Sequence, residues 1–240
     1  MEIQVLDDVG ALAETAARLF MESAGTAIAQ RGRFSVALAG GSTPLRLYDL
    51  LAWDPFASGI DWKRTHLFWG DERCVSPAHI DSNFQQAQVQ LLSKLEVPAR
   101  NIHRIHAEIG ANQAADLYQE ELRHFFGKDP VFDLILLGIG PDGHIASLFP
   151  GTAALEETRR WAVGVPHSTP PPPLVDRVSL TLPVINAAHL VMFLVAGAGK
   201  AQIMEQVTAS HQEGTLLPAQ RVNPLQGRMI WLVEKSALGK

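Results

Sequence analysis

Apolar, β-branched stretches alternate along the chain with segments whose apolar residues recur at helical spacing. This alternation is typical of βαβ units and predicts an α/β protein with a mostly parallel sheet. Near-continuous apolar runs such as LILL and VMFLVA indicate strands that are buried on both faces. Strands are predicted over residues 34–39, 65–69, 131–137, 161–165, 178–182, 190–196 and 229–233.

The same pattern predicts the helices. They are expected over residues 11–30, 45–52, 83–95, 112–126 and 200–208, with Asp7 and Asp8 placed to cap the first. The segment STPPPPLVD, residues 168–176, is named the proline loop here. Four consecutive prolines lack donors and hold φ fixed, so we expect a stiff surface loop there. Strands resume directly after it, which favours a single domain over residues 1–240.

The composition narrows the class of protein. The chain has 240 residues, of which 47% are hydrophobic and 19% charged, as in ordinary soluble globular proteins. A net charge of −5 argues against nucleic acid as a partner. The single cysteine, Cys74, suits a reducing compartment. No secretory leader is evident, and the longest apolar run is too short to cross a membrane. We expect a cytoplasmic monomer or small homo-oligomer.

A glycine-rich segment, AGGSTP, lies between a predicted strand and a predicted helix. Glycines allow close approach of a ligand to the backbone, and the N–H groups of a first helical turn are unpaired. Gly41, Ser42 and Thr43 are therefore candidates for an anion-binding cradle, with Pro44 suited to the first helical position. The alternative is a tight turn capped by serine or threonine.

A second segment, WGDERCVSPAHIDSN, also follows a predicted strand. It places Asp71, Glu72 and Arg73 at the carboxyl end of that strand, where ligands bind in parallel sheets. The alternative is a solvated run of charges.

The segment GIGPDGHIASLFPG carries an acid and an imidazole two residues apart at a strand end. His144 is a candidate general base, and Asp142 is placed to hold its tautomer. The alternative is a hydrogen-bonded histidine in a structural turn. No second His or Cys stands at usual metal-ligand spacing, so no metal is expected. A serine nucleophile is disfavoured, because no G-x-S-x-G motif exists and Ser147 is expected in a following helix.

Two further cations stand at predicted strand ends. Arg177 opens the strand RVSLTL, and Lys200 lies in the turn VAGAGKA. Each alone is better explained as a surface charge, but together they are able to bind one phosphate dianion.

These motifs resemble those of the 6-phosphogluconolactonases. The segment with DGH and SLFP is the most specific, and the resemblance extends from about residue 10 to 238. The matching motifs occur in the family's order: AGGSTP, WGDER with V and P and then DSN, FDLILLGIGPDGHIASLFPG, RVSLTLPVINAA, VAGAGKA, LPAQRVNP and GRMIWLVEKSAL.

The resemblance implies a fold, an activity and a site. The fold is a three-layer α/β/α sandwich with a mostly parallel, Rossmann-like sheet, shared with glucosamine-6-phosphate deaminase. The activity is hydrolysis of 6-phospho-D-glucono-1,5-lactone to 6-phosphogluconate, in the oxidative branch of the pentose phosphate pathway, without metal or cofactor. His144 matches the catalytic base and Asp142 its support. The substrate and phosphate pocket is matched by Gly41, Ser42, Thr43, Asp71, Arg73, Asn83, Arg177 and Lys200.

The sequence departs from the family pattern in the proline loop. The family usually has a segment closer to S-P-K-P-P, whereas this chain has STPPPP and no lysine. The V-P after the DER motif is also spread to Val75-Ser76-Pro77, and Glu234 stands where Asp is common.

Two other functions remain open at this point. Glucosamine-6-phosphate deaminases typically continue DGHIA into FNEPG and have Tyr at the end of the acidic motif; this chain has SLFPG and Arg73. A non-catalytic sugar-phosphate sensor would be expected to lose the base, yet His144 and Asp142 are both present.

Overall fold

A parallel sheet with flanking helices forms the centre of the molecule, as the alternating pattern predicts. The computed structural model describes residues 2–209 and 216–239. The strands are β1 (Glu2–Leu6), β2 (Phe34–Leu38), β3 (Thr65–Trp69), β4 (Asp71–Arg73), β5 (Ile102–His103), β6 (Leu134–Leu137), β7 (Ala162–Val165), β8 (Arg177–Leu180), β9 (Leu190–Val195) and β10 (Arg228–Glu234).

Helices connect most of these strands. They are α1 (Val9–Arg31), α2 (Ser42–Leu51), α3 (Phe56–Gly59), α4 (Asn83–Gln90), α5 (Ala111–Phe126), α6 (Leu182–Ala187) and α7 (Ala201–Thr208). Short 3-10 helices occur at Trp62–Arg64, Leu92–Lys94, Ala99–Asn101, Ala107–Ile109, Ala198–Lys200, Pro218–Arg221 and Lys235–Leu238. Asp8 caps α1 by accepting a hydrogen bond from the N–H of Ala11 at 2.8 Å, as expected.

The large sheet has the order β1-β10-β9-β6-β2-β3-β5, and all its strand pairs are parallel. Every residue of β2 and of β6 is buried, so helices cover both faces and the α/β/α arrangement is confirmed. After β2 the chain adds strands towards β5, and after β6 it adds them in the opposite direction. The order therefore reverses between β2 and β6, where open α/β sheets form a binding crevice.

A second, antiparallel sheet has the order β4-β8-β7, which the sequence did not predict. Residues of the DER motif form β4, and Arg73 lies directly opposite Arg177 in its register with β8. The N–H of Leu180 donates to the carbonyl of Gly70 at 2.8 Å, which joins the small sheet to the end of β3.

Some elements were missed because their residues give no periodic apolar signal. Strand β4 is charged, β5 has two residues, and β1 is an edge strand with four exposed residues and a half-buried fifth. The short helices α3 and α6 were also not predicted. The expectation of a helix after the DGH turn is wrong: residues 141–151 form turns, with an isolated bridge between Ile145 and Leu148.

Two histidines at the β3–β5 edge predict a pH-dependent stability. Nδ1 of His66 lies 3.0 Å from Nε2 of His103, whose Nδ1 lies 2.6 Å from Glu121 Oε1. Burial, with the positive charges nearby, lowers the pKa of His66 to about 4 and also lowers the pKa of His103. The unfolded chain therefore binds protons that the folded chain does not. We expect the free energy of unfolding to fall as the pH decreases from about 6.5 towards 4.

Urea unfolding at a series of pH values measures this effect. His66→Gln removes one of the two histidines with a lowered pKa, so we expect its free energy of unfolding to fall less between about pH 6.5 and 4. His106→Gln, at an exposed histidine, is expected to leave this pH dependence unchanged. An equal decline in wild type and in His66→Gln would contradict the prediction.

Candidate functional site

A cavity of about 250 Å³ lies at the carboxyl ends of β2, β3 and β6, at the point where the strand order reverses. The turn after β9 and the start of β8 complete its walls. Six of the residues selected from the sequence line it: Gly41, Asp71, Arg73, His144, Arg177 and Lys200.

The other four selected residues lie beside or behind the wall. Ser42 and Thr43 are the first residues of α2, and the Ser42 side chain is exposed. Helix α2 thus begins before Pro44, which is its third residue, and its N-cap is Gly41, without a side-chain cap. The serine or threonine cap weighed as the alternative is not observed. Asn83 is buried behind Asp71, and Asp142 lies behind His144.

The turn after β6 places the imidazole of His144 on a carboxylate. Nδ1 of His144 lies 2.5 Å from Oδ1 of Asp142, which also accepts a hydrogen bond from the His144 N–H at 3.2 Å. Burial raises the pKa of Asp142, but the hydrogen bond and charge of His144 outweigh burial, and the pKa is lowered. The carboxylate form therefore fixes Nδ1 as the protonated nitrogen and leaves Nε2 able to accept a proton.

Gly140 allows this arrangement. A Cβ at Gly140 would lie 2.1 Å from both Nδ1 and Cε1 of His144 and 2.8 Å from Oδ1 of Asp142. The turn is closed by hydrogen bonds from the Gly140 N–H to the His144 carbonyl at 2.9 Å and from the Gly143 N–H to the Gly140 carbonyl at 3.1 Å. Only a residue without a side chain fits at Gly140.

Strand β4 is buried, so the interpretation of its charges as a solvated run is wrong. Glu72 is 3% exposed, and its carboxylate accepts hydrogen bonds from the N–H groups of Arg73, Asn83 and Phe84 and from the Ser82 hydroxyl, at 2.7–3.0 Å. Burial raises the pKa of Glu72, and these hydrogen bonds oppose the change. Glu72 therefore anchors the start of α4 to β4.

Asp71 is fixed by two side chains that come from distant parts of the sequence. Its Oδ2 accepts a hydrogen bond from the Ser147 hydroxyl at 2.6 Å, and its Oδ1 accepts one from Asn83 Nδ2 at 3.1 Å. Ser147 is fully buried in the turn after the DGH motif, next to Ala146, whose φ is 47°. The Ser147 hydroxyl donates to a carboxylate, and no helix holds it.

Three cations line the cavity, and each has a backbone carbonyl as a partner. Nη1 of Arg73 donates to the Asp81 carbonyl at 2.7 Å. Nη2 of Arg177 donates to the Pro173 carbonyl at 2.9 Å, and Nζ of Lys200 donates to the Ile139 carbonyl at 2.7 Å. Burial lowers the pKa of Arg177 and of Lys200.

None of these cations forms a salt bridge within the described residues. The Nε atoms of Arg73 and Arg177 are buried, and neither has a hydrogen-bond partner among residues 2–209 and 216–239. Because like charges directly opposite each other on neighbouring strands repel, an anion between these arginines would stabilise the pair. The cavity thus combines an imidazole held by a carboxylate with a wall that carries three cations.

Comparison with known proteins places these features in a family. The family described as glucosamine-6-phosphate isomerases/6-phosphogluconolactonase matches residues 7–231. The chain belongs to this family. A 6-phosphogluconolactonase of a Nostoc species is 40% identical over 98% of this chain and 96% of its own length. One from a Synechocystis species is 42% identical over 88% of this chain and 86% of its own length.

A solved structure extends the likeness to the fold. The 6-phosphogluconolactonase of Thermotoga maritima is 29% identical, covers 98% of this chain and 99% of its own, and has a TM-score of 0.83. The resemblance inferred from the motifs is confirmed, and the chain is an enzyme of the 6-phosphogluconolactonase group. Its Rossmann-like sheet is likewise that of the family.

Two residues that contact or form the AGGSTP segment, Tyr48 and Gly40, were not selected from the sequence. The Tyr48 hydroxyl donates to the Ala39 carbonyl at 2.6 Å and accepts from the Ala39 N–H at 3.0 Å. A Cβ at Gly40 would lie 1.8 Å from Oδ1 of Asn83. The double glycine of the AGGSTP motif was the available signal for Gly40, whereas Tyr48 resembles any apolar residue of a helix.

Within the described part of the chain, none of the helices combines the length and the apolar character that a bilayer crossing requires. Across residues 2–209 and 216–239, no three His, Cys, Asp or Glu side chains are grouped closely enough to bind one metal ion. The expected absence of a metal and of a cofactor stays a prediction.

Proposed function

We propose that the protein hydrolyses 6-phospho-D-glucono-1,5-lactone to 6-phosphogluconate, with His144 as a general base. The observation that supports it best is the placement of the His144–Asp142 pair in the same cavity as Arg73, Arg177 and Lys200. A base alone fits many reactions, and a cluster of cations alone fits any anion. Together they suit an ester that carries a phosphate, which is the substrate class named for the relatives.

Binding of the phosphate is assigned to Arg177, Lys200 and the backbone of the AGGST segment. Arginine offers two parallel N–H donors to phosphate oxygens, and lysine adds a point charge. Gly41, with a φ of 97°, is the N-cap of α2, and its own N–H donates to Oε1 of Gln86 at 3.2 Å, so the N–H groups assigned to the phosphate are those of Ser42 and Thr43 in the first turn. Arg73 lies opposite Arg177 and adds a third positive charge, while Ser42 and Thr43 offer hydroxyl donors at the rim.

Proton transfer is assigned to His144, with Asp142 holding its tautomer. Nε2 takes a proton from water as the water oxygen forms a bond to C1 of the lactone. A tetrahedral oxyanion results, and when the bond between C1 and the ring oxygen breaks, the imidazolium returns the proton to that oxygen. General-base catalysis supplies about 10²–10⁴-fold, and a fixed phosphate adds positioning. These steps assign no role to a metal ion. Asp71 and Asn83 are assigned to the wall of the pocket.

The two other functions make different predictions. A deaminase would release ammonia from glucosamine 6-phosphate, and a sensor would bind phosphorylated sugars without turnover. The SLFP motif and Arg73 favour the lactonase over the deaminase, and the intact His144–Asp142 pair favours an enzyme over a sensor. Cytoplasmic location, a monomer or small homo-oligomer, and the absence of nucleic-acid binding stay predictions from the sequence.

A coupled assay on freshly generated 6-phosphogluconolactone, corrected for spontaneous hydrolysis, tests the proposal. We expect turnover well above background with pure protein and no ammonia release from glucosamine 6-phosphate. A rate equal to the uncatalysed background would contradict the lactonase assignment, and binding of 6-phosphogluconate without turnover would support a sensor.

Gly140→Ala is a geometric test of the base. The new Cβ would overlap the His144 ring, so the imidazole must rotate away from Asp142 and from the substrate. We expect kcat to fall by at least about tenfold, since misplacement of a catalytic group by about 1 Å costs up to 10²-fold. Gly25→Ala, on the exposed face of α1, is the matched control, because a Cβ there meets no atom within 4 Å and the residue does not line the cavity. Equal activity in the two variants would contradict the assigned geometry.

A further inference from the structure

The proline loop forms part of the cavity wall, and nothing described so far gives it a role. Pro171 and Pro172 line the cavity, and Arg177, the proposed phosphate ligand, directly follows the loop. This is also the segment in which the chain departs from the family's S-P-K-P-P pattern, by having four consecutive prolines, no lysine and an apparent insertion before Arg177. The conformation of this part of the cavity wall therefore depends on contacts particular to this chain.

Three hydrogen bonds tie the proline loop to the two residues that flank it, His167 and Arg177. Nε2 of His167 lies 2.7 Å from the Pro171 carbonyl oxygen and donates to it, while the Pro173 carbonyl accepts from Nη2 of Arg177 at 2.9 Å. The N–H of His167 also donates to Oδ1 of Asp176 at 3.1 Å, which closes the base of the loop. Prolines have no N–H, and two of the carbonyls are already bonded to protein groups. The wall therefore presents mainly carbon atoms to a ligand.

The ring of His167 is held in place by Phe149. The two rings stack with centroids 4.3 Å apart and planes inclined by 16°. Phe149 also lies next to His144, at 4.5 Å between ring centroids, and next to the guanidinium of Arg177, at 5.6 Å from the ring centre. His167 is 5% exposed, so its ring is packed and its donor points at the loop.

We propose that His167 is a positioning residue that holds the proline loop against the cavity and so sets the affinity for the phosphorylated substrate. The inference rests on the proposed function for the identity of that substrate. Loss of the His167–Pro171 hydrogen bond frees the loop, which removes one wall and loosens the carbonyl that orients Arg177. The His144–Asp142 hydrogen bond does not involve the loop. Substrate binding is therefore affected more than proton transfer.

Two substitutions separate the hydrogen bond from the stacking. His167→Phe keeps an aromatic ring against Phe149 and removes the donor, whereas His167→Gln keeps an N–H donor at a similar reach and removes the ring. We expect His167→Phe to raise KM for 6-phosphogluconolactone, and the Kd for 6-phosphogluconate measured by calorimetry, by about five- to tenfold, the effect of one neutral hydrogen bond. The expected change in kcat is less than about twofold.

His167→Gln is expected to keep both constants near those of wild type, and His106→Phe, at an exposed histidine that does not line the cavity, is expected to change neither. A merely structural role would lower the folded fraction and the apparent kcat and would leave KM and Kd unchanged. Unchanged KM and Kd in His167→Phe, or no rescue by His167→Gln, would overturn the inference. If His167→Phe does not fold, His167→Leu is compared with His167→Gln, because both lack the ring and only the glutamine keeps an N–H donor.

The test of the proposed function and the test of His167 have separate outcomes. Wild-type protein without turnover would refute the lactonase assignment, and the Kd for 6-phosphogluconate in the two variants would still decide the role of His167. Wild-type turnover with equal constants in all variants would refute the role of His167 alone.

Discussion

Replacing His144 by alanine is expected to lower kcat for 6-phosphogluconolactone by about 10²–10⁴-fold, the contribution typical of a general base. Nε2 is the ring nitrogen left free by the hydrogen bond between Nδ1 and Asp142, and the substitution removes it from the cavity. The phosphate ligands stay in place. The Kd for 6-phosphogluconate should therefore remain close to that of wild type.

Asp142→Asn separates the base from its orientation. An amide offers no negative charge to the imidazole and can present an N–H to Nδ1, which favours the wrong tautomer. We expect a fall in kcat in the direction of that of His144→Ala, with an unchanged Kd for 6-phosphogluconate. His124→Ala, at an exposed histidine of α5, is the control and should retain wild-type kinetics. Near-normal turnover by His144→Ala after correction for background would exclude the assigned base.

Arg177→Met is expected to lower kcat/KM for the phosphorylated lactone by about ten- to hundredfold, mainly through KM. Hydrogen bonds to charged groups contribute about 1.5–3 kcal/mol, and 1.4 kcal/mol corresponds to a factor of about ten. Methionine retains most of the length of the buried side chain, which is 3% exposed, and thereby limits the loss of packing. The measurement is steady-state kinetics at fixed ionic strength.

The unphosphorylated lactone provides the decisive comparison for Arg177. D-glucono-1,5-lactone has no phosphate to lose contact with, so Arg177→Met should change its hydrolysis little. The kcat/KM of Arg177→Lys for the phosphorylated lactone should fall between those of wild type and Arg177→Met, because an ammonium group keeps the charge without the paired donors. Arg18→Met, at a surface arginine of α1, is the control. An equal loss on both lactones would mean that Arg177 supports the fold or the base and does not bind phosphate.

Five of the seven strands of the large sheet could be predicted, because the information that identifies them is local. Runs such as 134–137 and 190–195 are apolar enough to identify buried parallel strands from the sequence alone. In the small sheet, β7 and β8 could be predicted as strands, but β4 and the separate antiparallel pairing could not. Its strand β4 consists of an aspartate, a glutamate and an arginine, which single-sequence patterns assign to the surface. Their partners are Ser82 and Asn83, which lie 10 and 11 residues after Glu72 in the same segment, and Ser147, which lies 76 residues after Asp71.

The same contrast holds for the site. His144 and Asp142 are two residues apart, so a motif is sufficient to pair them. The hydrogen bond from Ser147 to Asp71 spans 76 residues, and no local pattern indicates it. Asp71 is indicated both by its place at a strand end and by the family resemblance, whereas the helix expected at Ser147 is wrong, because neither kind of signal shows which side chains meet.

The two sheets have a consequence for the length of substrate that the cavity accepts. The base follows a strand of the large sheet, whereas Arg73 and Arg177 face each other on the small one. The distance between His144 and these two arginines therefore depends on how the small sheet packs against the large one. The Leu180–Gly70 and Ser147–Asp71 hydrogen bonds are among the contacts that set this packing. A change in the packing between the two sheets would therefore change the length of substrate that fits between His144 and the arginines.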